Sequence, residues 1–407
     1  MKLIIVYLFI FTGLFSCKDT GNKGGIKIES SAEAVYDDSL IVPGAYQLAL
    51  YVPELRGKNV ALVVNQTSMV DGKHLVDTLL ALDVKIKKIF APEHGFRGNA
   101  SAGETIEDFK DKKTGLPVVS LYGKKKKPSD EDLKDIDVII FDIQDVGVRF
   151  YTYISTMAYV MQAAAGHDIK TIILDRPNPN GHYIDGPVLE EKYKSFVGMF
   201  PVPVVYGMTI GELAQMIKGE NWIAGAKDCD LKVVPCVNYK HDKPYELPVK
   251  PSPNLKNFTA VTLYPSLCFF EGSTVSVGRG TEKPFEQIGH PALKEYFDYY
   301  FVPHSMEGAL HPKHEGKKCY GLDLSGIDVE GFRSKHKLEL SWIMDFYKKL
   351  KDKDGFFTAN NWFDKLAGTD SFRKMIIAGK SEKEIRDSWS KGLEEFKKKR
   401  KKYLLYD

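Results

Sequence analysis

The sequence predicts an α/β protein with a Rossmann-like, doubly wound, mostly parallel sheet and a second, smaller α+β domain. Short β-branched runs such as 59–68 (NVALVVNQTS) and 137–145 (DVIIFDIQD) recur along the chain, and amphipathic segments separate them. Continuous apolar strands that alternate with helices indicate a parallel sheet covered on both faces. Beyond about residue 245 the sequence changes to proline- and glycine-rich loops followed by helices. We therefore predict two domains, at 39–245 and 246–407.

Each element of the first domain has its own signal in the sequence. The predicted strands are 59–68, 84–93, 116–123, 137–145, the start of 170–181, and 230–236. The predicted helices are 74–83, 129–136, 152–168 and 208–220. In the last of these, Thr209 stands three residues before Glu212, which is the spacing of a capping box at a helix start. In the second domain we predict helices at 291–301, at 338–351 and at the charged C-terminus.

The chain begins with the features of an export signal. Residues 1–17 carry one lysine and then an unbroken apolar stretch that ends in LFSC. The stretch is too short for a membrane-spanning helix and has the organisation of a secretory signal peptide. Because LFSC resembles a bacterial lipobox, we predict lipidation at Cys17, a flexible linker at 18–38 and an exported protein anchored in the membrane, on the periplasmic side or in the cell envelope. The alternative is a plain signal peptide with an incidental cysteine.

Charge and composition argue against a nucleic-acid-binding protein. The formal net charge of +3 includes Lys2, which would leave with the signal peptide, so the mature chain is nearly neutral. Such a chain lacks the excess of cations by which proteins bind nucleic acids. We interpret the basic runs at 124–127 and 397–402 as a solvated loop and a solvated terminal helix.

The sequence predicts neither a metal nor another cofactor. No predicted strand is followed by the phosphate-binding patterns GxGxxG or GxxxxGK(S/T), and the GxSxG pattern of esterases is absent. Pro312 prevents a regular helical arrangement of the three histidines around it, so we interpret them as loop residues. Four cysteines follow Cys17 without the spacing of a zinc site, and a disulfide among them stays open: Cys229, Cys236, Cys268 and Cys319.

Polar side chains collect where the predicted strands end. The second strand runs into APEHGFRG (91–98), which places Glu93, His94 and Arg97 in one turn. The candidates beyond the other strands are Asn65, Asp142, Gln144, Arg149, Tyr151, Tyr153, Asp175, Arg176 and Asn178. Any one of them alone would be a helix cap or a turn residue. Together, at the carboxyl ends of parallel strands, they are expected to converge on one crevice.

The second domain supplies a loop-like run at 264–289, which contains four glycines. A structureless stretch of that length in a compact domain usually has a function. The alternative is a surface hairpin with solvated charges. Its candidate site residues are Glu271, Arg279 and Glu282.

Several long motifs resemble the exo-β-N-acetylmuramidase family of peptidoglycan hydrolases. They are VNQTS, APEHGFRG, FDIQDVGVRFYTYISTM, LDRPNPNG, DGPVLE, PSPNL and EGSTVSVGRGTEKPFEQIG, and the resemblance extends from about residue 45 to the C-terminus. It implies a Rossmann-like domain, a smaller C-terminal domain and a site in the cleft between them. It also implies release of N-acetylmuramic acid from the non-reducing end of peptidoglycan fragments during cell-wall turnover, with Glu93 as the catalytic acid.

The residues themselves lead to the same role for Glu93. Glycoside hydrolysis needs a carboxylic acid that protonates the leaving oxygen, and usually a second carboxylate. An apolar setting raises the pKa of such an acid, and Glu93 follows a buried strand and precedes Phe96. His94 and Arg97 would orient it or contact the substrate. The second group stays open between the acetamido group of the substrate and the carboxylates Asp142, Asp145, Asp175, Glu271 and Glu282.

An N-acetylmuramic acid residue carries a lactyl carboxylate, so the site should contain a cation. Arginine offers the fork geometry that carboxylates favour, and we prefer Arg149 and Arg279 over Arg176. Tyr151 and Tyr153 would offer a stacking face. Two other classes of protein stay open: a two-lobed lipoprotein that binds cell-wall sugars without catalysis, and a nucleotide-dependent enzyme, which the missing phosphate loops disfavour.

Overall fold

The structure, a computed structural model, describes residues 39–93, 95–96, 108–350 and 355–407. The predicted signal peptide with Cys17, the linker at 18–38, and the candidate site residues His94 and Arg97 lie outside the described residues. Within the described ranges, no helix is both long enough and apolar enough to cross a membrane.

A seven-stranded sheet organises the first part of the chain. In chain order its strands and those of a small hairpin are β1 (Val60–Val64), β2 (Met69–Val70), β3 (Lys73–His74), β4 (Ile86–Ala91), β5 (Phe109–Lys110), β6 (Pro117–Ser120), β7 (Val138–Asp142), β8 (Lys170–Leu174) and β9 (Leu231–Val234). The sheet has the order β5–β6–β4–β1–β7–β8–β9, and β2 pairs with β3 outside it. Every pair in the sheet is parallel except β5 with β6, so the predicted doubly wound, mostly parallel sheet is confirmed.

Four helices accompany this sheet, and each was predicted. They are α1 (Leu75–Ala81), α2 (Asp130–Leu133), α3 (Tyr153–Ala165) and α4 (Ile210–Gly219). The capping box of α4 is present, because the Glu212 amide donates to Thr209 Oγ1 at 3.2 Å and the Thr209 amide donates to Glu212 Oε2 at 2.8 Å. A box of this kind satisfies two amides that the helix itself leaves without acceptors.

The two faces of the sheet bury different side chains of the same strands. In β1, Ala61 and Val63 face one hydrophobic cluster, whereas Val60, Leu62 and Val64 face another. This alternation follows from the two-residue period of a strand and requires cover on both faces. The first cluster continues into the second part of the chain, so the two parts share one apolar core.

The second part contains a three-stranded antiparallel sheet and six helices within the described residues. The strands are β10 (Gln287–His290), β11 (Tyr300–Phe301) and β12 (Cys319–Asp323), in the order β10–β12–β11. The helices are α5 (Phe258–Leu267), α6 (Val329–Arg333), α7 (Ser341–Lys349), α8 (Trp362–Ala367), α9 (Ser371–Ile377) and α10 (Glu382–Arg400). The predicted α/β architecture with a smaller second domain and its own sheet is therefore confirmed.

Two expectations for this part differ from the structure. The predicted helix at 291–301 is wrong, since only Pro291–Leu293 form a helical turn and Tyr300–Phe301 pair with β12. Backbone pairing with a neighbouring strand outweighs the local pattern there. The run at 264–289, which the sequence suggests is a loop, contains regular structure at both ends. It includes the end of α5 and a helical turn at Cys268–Gly272, and it ends in β10. The four cysteines after Cys17 are free and buried.

Candidate active site

A cavity of about 980 Å³ is lined by both parts of the chain. From the first part it takes Glu93, Tyr122 and Thr152, which follow the carboxyl ends of β4, β6 and β7. From the second part it takes Glu271 and Arg279, together with residues of α8. The volume falls in the range of small-molecule sites, and the carboxyl ends of parallel strands are where α/β sheets bind ligands.

A tight turn presents Glu93 to this cavity. The Gly95 amide donates to the Pro92 carbonyl at 2.9 Å, and Gly95 has a φ of 74°, a conformation that glycine adopts without strain. Gly95, the first glycine of APEHGFRG, is therefore required by the turn that follows β4. Phe96 does not line the cavity; its buried ring packs edge-on against His74, with 5.0 Å between the ring centroids.

Hydroxyl groups from neighbouring strand ends hold the Glu93 carboxyl group. Thr152 Oγ1 donates to Glu93 Oε2 at 2.8 Å, and the Tyr122 phenol is hydrogen-bonded to Glu93 as well. Burial, and after it the nearby charge of Glu93, raises the pKa of Tyr122 and of Tyr153 well above the ordinary tyrosine value. Both phenols therefore keep their protons at neutral pH and remain available as donors.

The second carboxylate of the cavity, Glu271, is paired with Arg279. Arg279 Nε donates to Glu271 Oε1 at 2.6 Å, and the Cys268 thiol lies 3.5 Å from Oε2. Burial alone would raise the pKa of Glu271, but the charge and hydrogen bond of Arg279, with the charge of Lys313, outweigh it and lower that pKa. Glu271 is therefore ionised at neutral pH.

Lys313 fixes the segment that carries Glu271. Its ammonium nitrogen lies 2.5–3.5 Å from four backbone carbonyl oxygens, those of Phe270, Glu271, Ser273 and Val275, which are enough acceptors for its three N–H groups. Burial lowers its pKa to about 8. The donors of Lys313 are thus engaged by the main chain rather than turned to the cavity.

Asp142 and Arg176, two of the candidates at the strand ends, pair with each other away from the cavity lining. Arg176 Nε and Nη2 donate to the two carboxylate oxygens of Asp142 at 2.6 and 2.9 Å, and both side chains are buried. Asp142, a candidate for catalysis, instead joins the end of β7 to the loop after β8.

The remaining candidates divide into three groups. Tyr151 lines the cavity, although its hydroxyl donates to the Pro251 carbonyl at 2.8 Å. Glu282 lies outside the lining, with a side chain 86% exposed and paired with Lys256 at 3.0 Å. The rest are buried and hydrogen-bonded to neighbouring loops, outside the lining: Asn65, Gln144, Tyr153, Asp175 and Asn178.

Asp145, which the sequence left open as a second carboxylate, is buried and accepts a hydrogen bond from Tyr206. Burial raises its pKa to about 6. It does not line the cavity. Of the carboxylates that the sequence offered as the second group, only Glu271 does so among the described residues.

Arg149 is fully buried and connects three segments of the main chain by hydrogen bonds. Its guanidinium donates to the carbonyls of Pro187, Val202 and Leu366 at 2.7–3.0 Å, and it does not line the cavity. The sequence predicted a substrate-binding arginine here, but its donors are directed at the main chain.

Arg149→Met should therefore destabilise the fold rather than weaken sugar binding. It removes a charged donor from three carbonyls, of which that of Val202 keeps the Leu189 amide, and we expect the free energy of unfolding to fall by about 3 kcal/mol. Chemical denaturation would measure this, with the exposed Arg56→Met as the control, expected within about 0.5 kcal/mol of the wild type. Unchanged stability together with weaker muramide binding would contradict this assignment.

Sequence reasoning missed several residues of the cavity. Tyr122 lies just beyond the end of β6, so the rule that selected Glu93 applies to it too, and Thr152 lies between the candidates Tyr151 and Tyr153 at the start of α3. Lys126 belongs to the basic run that was interpreted as a solvated loop, yet it lines the cavity. Lys365, on α8, had no signal in the sequence. Among the described residues, no group of three or more histidine, cysteine, aspartate or glutamate side chains could hold a metal ion.

A saccharide-sized cavity lined by two glutamates, Glu93 beyond a strand of the sheet and Glu271 from the second part, offers the pair of carboxyl groups that glycoside hydrolases use. Two family models match the chain, the N-terminal part of exo-β-N-acetylmuramidase NamZ at 60–259 and its C-terminal part at 262–406. The chain therefore belongs to the exo-β-N-acetylmuramidase family and is a glycosidase, as its motifs predicted. The peptidoglycan β-N-acetylmuramidase NamZ of Bacillus subtilis (strain 168) is 43% identical over 373 residues, which cover 88% of this chain and 89% of that protein.

Two solved structures share the fold. Both are crystal structures of DUF1343 family proteins from Bacteroides fragilis NCTC 9343, and each match covers 90% of this chain and 99% of the other. One has 48% sequence identity and a TM-score of 0.84, and the other has 30% identity and a TM-score of 0.74.

Proposed function

We propose that this protein is an exo-acting glycoside hydrolase that releases N-acetylmuramic acid from the non-reducing end of peptidoglycan fragments, with Glu93 as the general acid. The observation that carries the proposal is the position of Glu93 in a sugar-sized cavity, held by Thr152 and Tyr122. The name of the Bacillus subtilis relative supports the choice of substrate. Turnover or recycling of the cell wall is the process that such an activity would serve.

The two carboxyl groups of the cavity have different surroundings, and we assign them different roles. Glu93 is hydrogen-bonded to a hydroxyl and a phenol, and it donates its proton to the glycosidic oxygen. Glu271 is held as a carboxylate by Arg279, and we assign it the stabilisation of the positive charge that develops at the anomeric carbon. Two carboxyl groups that line one cavity are what this reaction generally uses.

Product analysis tests the proposal. The purified protein is incubated with a disaccharide that has N-acetylmuramic acid at its non-reducing end, and with one that has N-acetylglucosamine there. We expect release of free N-acetylmuramic acid from the first and no cleavage of the second. Tight binding without release would favour a solute-binding lipoprotein, and nucleotide bound to the purified protein would revive the nucleotide-dependent alternative.

We also propose that the protein is exported and anchored through a lipid on Cys17, because LFSC is followed by a polar stretch. The full chain should appear in the membrane fraction of a bacterial host, whereas Cys17→Ser should not be lipidated and should lose that association. Recovery of both proteins in the soluble exported fraction would instead indicate a plain signal peptide.

A further inference from the structure

The cavity contains more cations than its two carboxylates can neutralise. Four lysine or arginine side chains line it within the described residues: Lys126, Arg279, Lys313 and Lys365. Arg279 is paired with Glu271, and the donors of Lys313 are engaged by backbone carbonyls. Neither Lys126 nor Lys365 has a carboxylate within salt-bridge distance in the part of the chain that the structure describes. These two ammonium groups are thus the charges that remain for a ligand.

Lys126 lies on the wall of the cavity that carries Glu93. Its Nζ is 4.5 Å from the centroid of the Phe196 ring, and Phe196 in turn packs against Tyr122, with 6.3 Å between the ring centroids. Because Tyr122 is hydrogen-bonded to Glu93, the lysine and the acid share one wall. An aromatic ring attracts an ammonium group and restricts its position but leaves its charge available.

Lys365 lies on the wall that carries Glu271. Its Nζ is 6.0 Å from the Trp362 ring in α8, and both residues line the cavity. The same helix packs directly on the segment of Glu271, since a Cβ at Gly272 would collide with the backbone of Phe363. Lys126 therefore lies on the same wall as Glu93 and Lys365 on the same wall as Glu271, and each lysine has an aromatic ring beside it.

We propose that Lys126 and Lys365 are the substrate-specificity residues of this cavity and that they bind carboxylate groups of the muramyl saccharide. The inference rests on the proposed function and names the part of the substrate that the lysines recognise. Two carboxylates have this chemistry: the lactyl carboxylate, and the carboxylates of a stem peptide when that peptide has converted the lactyl group to an amide. A neutral N-acetylglucosamine residue offers neither.

Methionine and arginine variants separate charge from shape. Lys126→Met and Lys365→Met keep most of the apolar stem, whereas Lys126→Arg and Lys365→Arg keep the charge. Lys124→Met is the matched control, because Lys124 belongs to the same basic run but is exposed and does not line the cavity. The first readout is the affinity for free N-acetylmuramic acid and for N-acetylglucosamine, measured by calorimetry. The second is kcat/KM on the disaccharide with a free lactyl group and on a muramyl peptide.

A methionine variant of a lysine that binds the lactyl carboxylate should lose roughly tenfold or more in affinity for N-acetylmuramic acid, the size expected for one hydrogen bond to a charged group. For a lysine that binds peptide carboxylates, a loss of that size should appear in kcat/KM on the muramyl peptide instead. Binding of N-acetylglucosamine should not change, and the arginine variants should recover much of the loss. A loss confined to the free lactyl substrate identifies the lactyl carboxylate, and a loss confined to the muramyl peptide identifies the peptide carboxylates.

Methionine variants that bind N-acetylmuramic acid as the wild type does, and that hydrolyse both substrates normally, would overturn the inference. So would equal losses on N-acetylglucosamine, since they would reflect a damaged cavity. Failure of the proposed function looks different: the wild type itself would release no N-acetylmuramic acid. The binding measurement would still test the two lysines in that case.

Discussion

Glu93→Gln is expected to lose roughly 100- to 10,000-fold in turnover on the natural disaccharide, the usual contribution of general acid–base catalysis. Glutamine keeps the shape of the side chain and still accepts the hydrogen bond from Thr152, but it has no proton to deliver. Substrate affinity and the free energy of unfolding should therefore change little. Single-turnover kinetics with calorimetric binding would measure the two effects separately.

The leaving group offers an internal test of this role. A nitrophenyl muramide has an acidic leaving group that needs less protonation, so the loss in Glu93→Gln should shrink on it. Glu93→Asp should also be impaired, by about a hundredfold, because a displacement near 1 Å can cost that much. Glu131→Gln, an exposed glutamate of α2, is the control. Near wild-type turnover of Glu93→Gln on the natural disaccharide would transfer the acid role to another residue, with Glu271 the first to test.

Glu271→Gln is expected to lose at least about a hundredfold in turnover, because it removes the carboxylate that we propose as the second catalytic group. It also leaves Arg279 without its partner at 2.6 Å. The two consequences can be separated with Arg279→Met and the double variant, since a double-mutant cycle measures the coupling of the pair. If Glu271 acted only by neutralising Arg279, the double variant would recover most of the lost turnover.

Glu282→Gln is a matched control for that experiment. Glu282 belongs to the same run of sequence, but its side chain is 86% exposed and lies outside the cavity lining. We expect near wild-type turnover for it. A loss as large as that of Glu271→Gln would show that the run as a whole, and not one carboxylate in it, supports activity.

The sheet was predictable because its strands carry their own signal. The residues of β1 and β7 are buried throughout and form continuous β-branched runs, a pattern that few other structures produce. The segment 291–301 has no comparable signal. Tyr300 and Phe301 become a strand because β12, nearly twenty positions later, pairs with them. Contacts at that distance are not visible in a local pattern.

The site was predictable only in part, for a related reason. Some polar residues at strand ends line the cavity, and others form hydrogen bonds or ion pairs that hold neighbouring loops in place. The sequence alone does not distinguish the two kinds. Asp142 and Glu93 both follow buried strands, but Asp142 meets Arg176, a partner 34 residues away. Lys126 illustrates the reverse case, a cavity residue in a segment that looks solvated. A run of four lysines is usually exposed to solvent, and only the fold shows that Lys126 is the one that lies against Phe196.

The shared apolar core limits how this enzyme can move. Phe150, from the first part, lies edge-on to Tyr264 and Phe269 of the second, with ring centroids 5.5 and 5.9 Å apart. Hinge-bending would have to separate these rings and expose them to water on every catalytic cycle, which costs free energy in proportion to the apolar area exposed. We therefore expect the two parts of the chain to stay in contact throughout turnover. Substrate should enter and product should leave an open cavity by diffusion, and no domain motion should limit kcat.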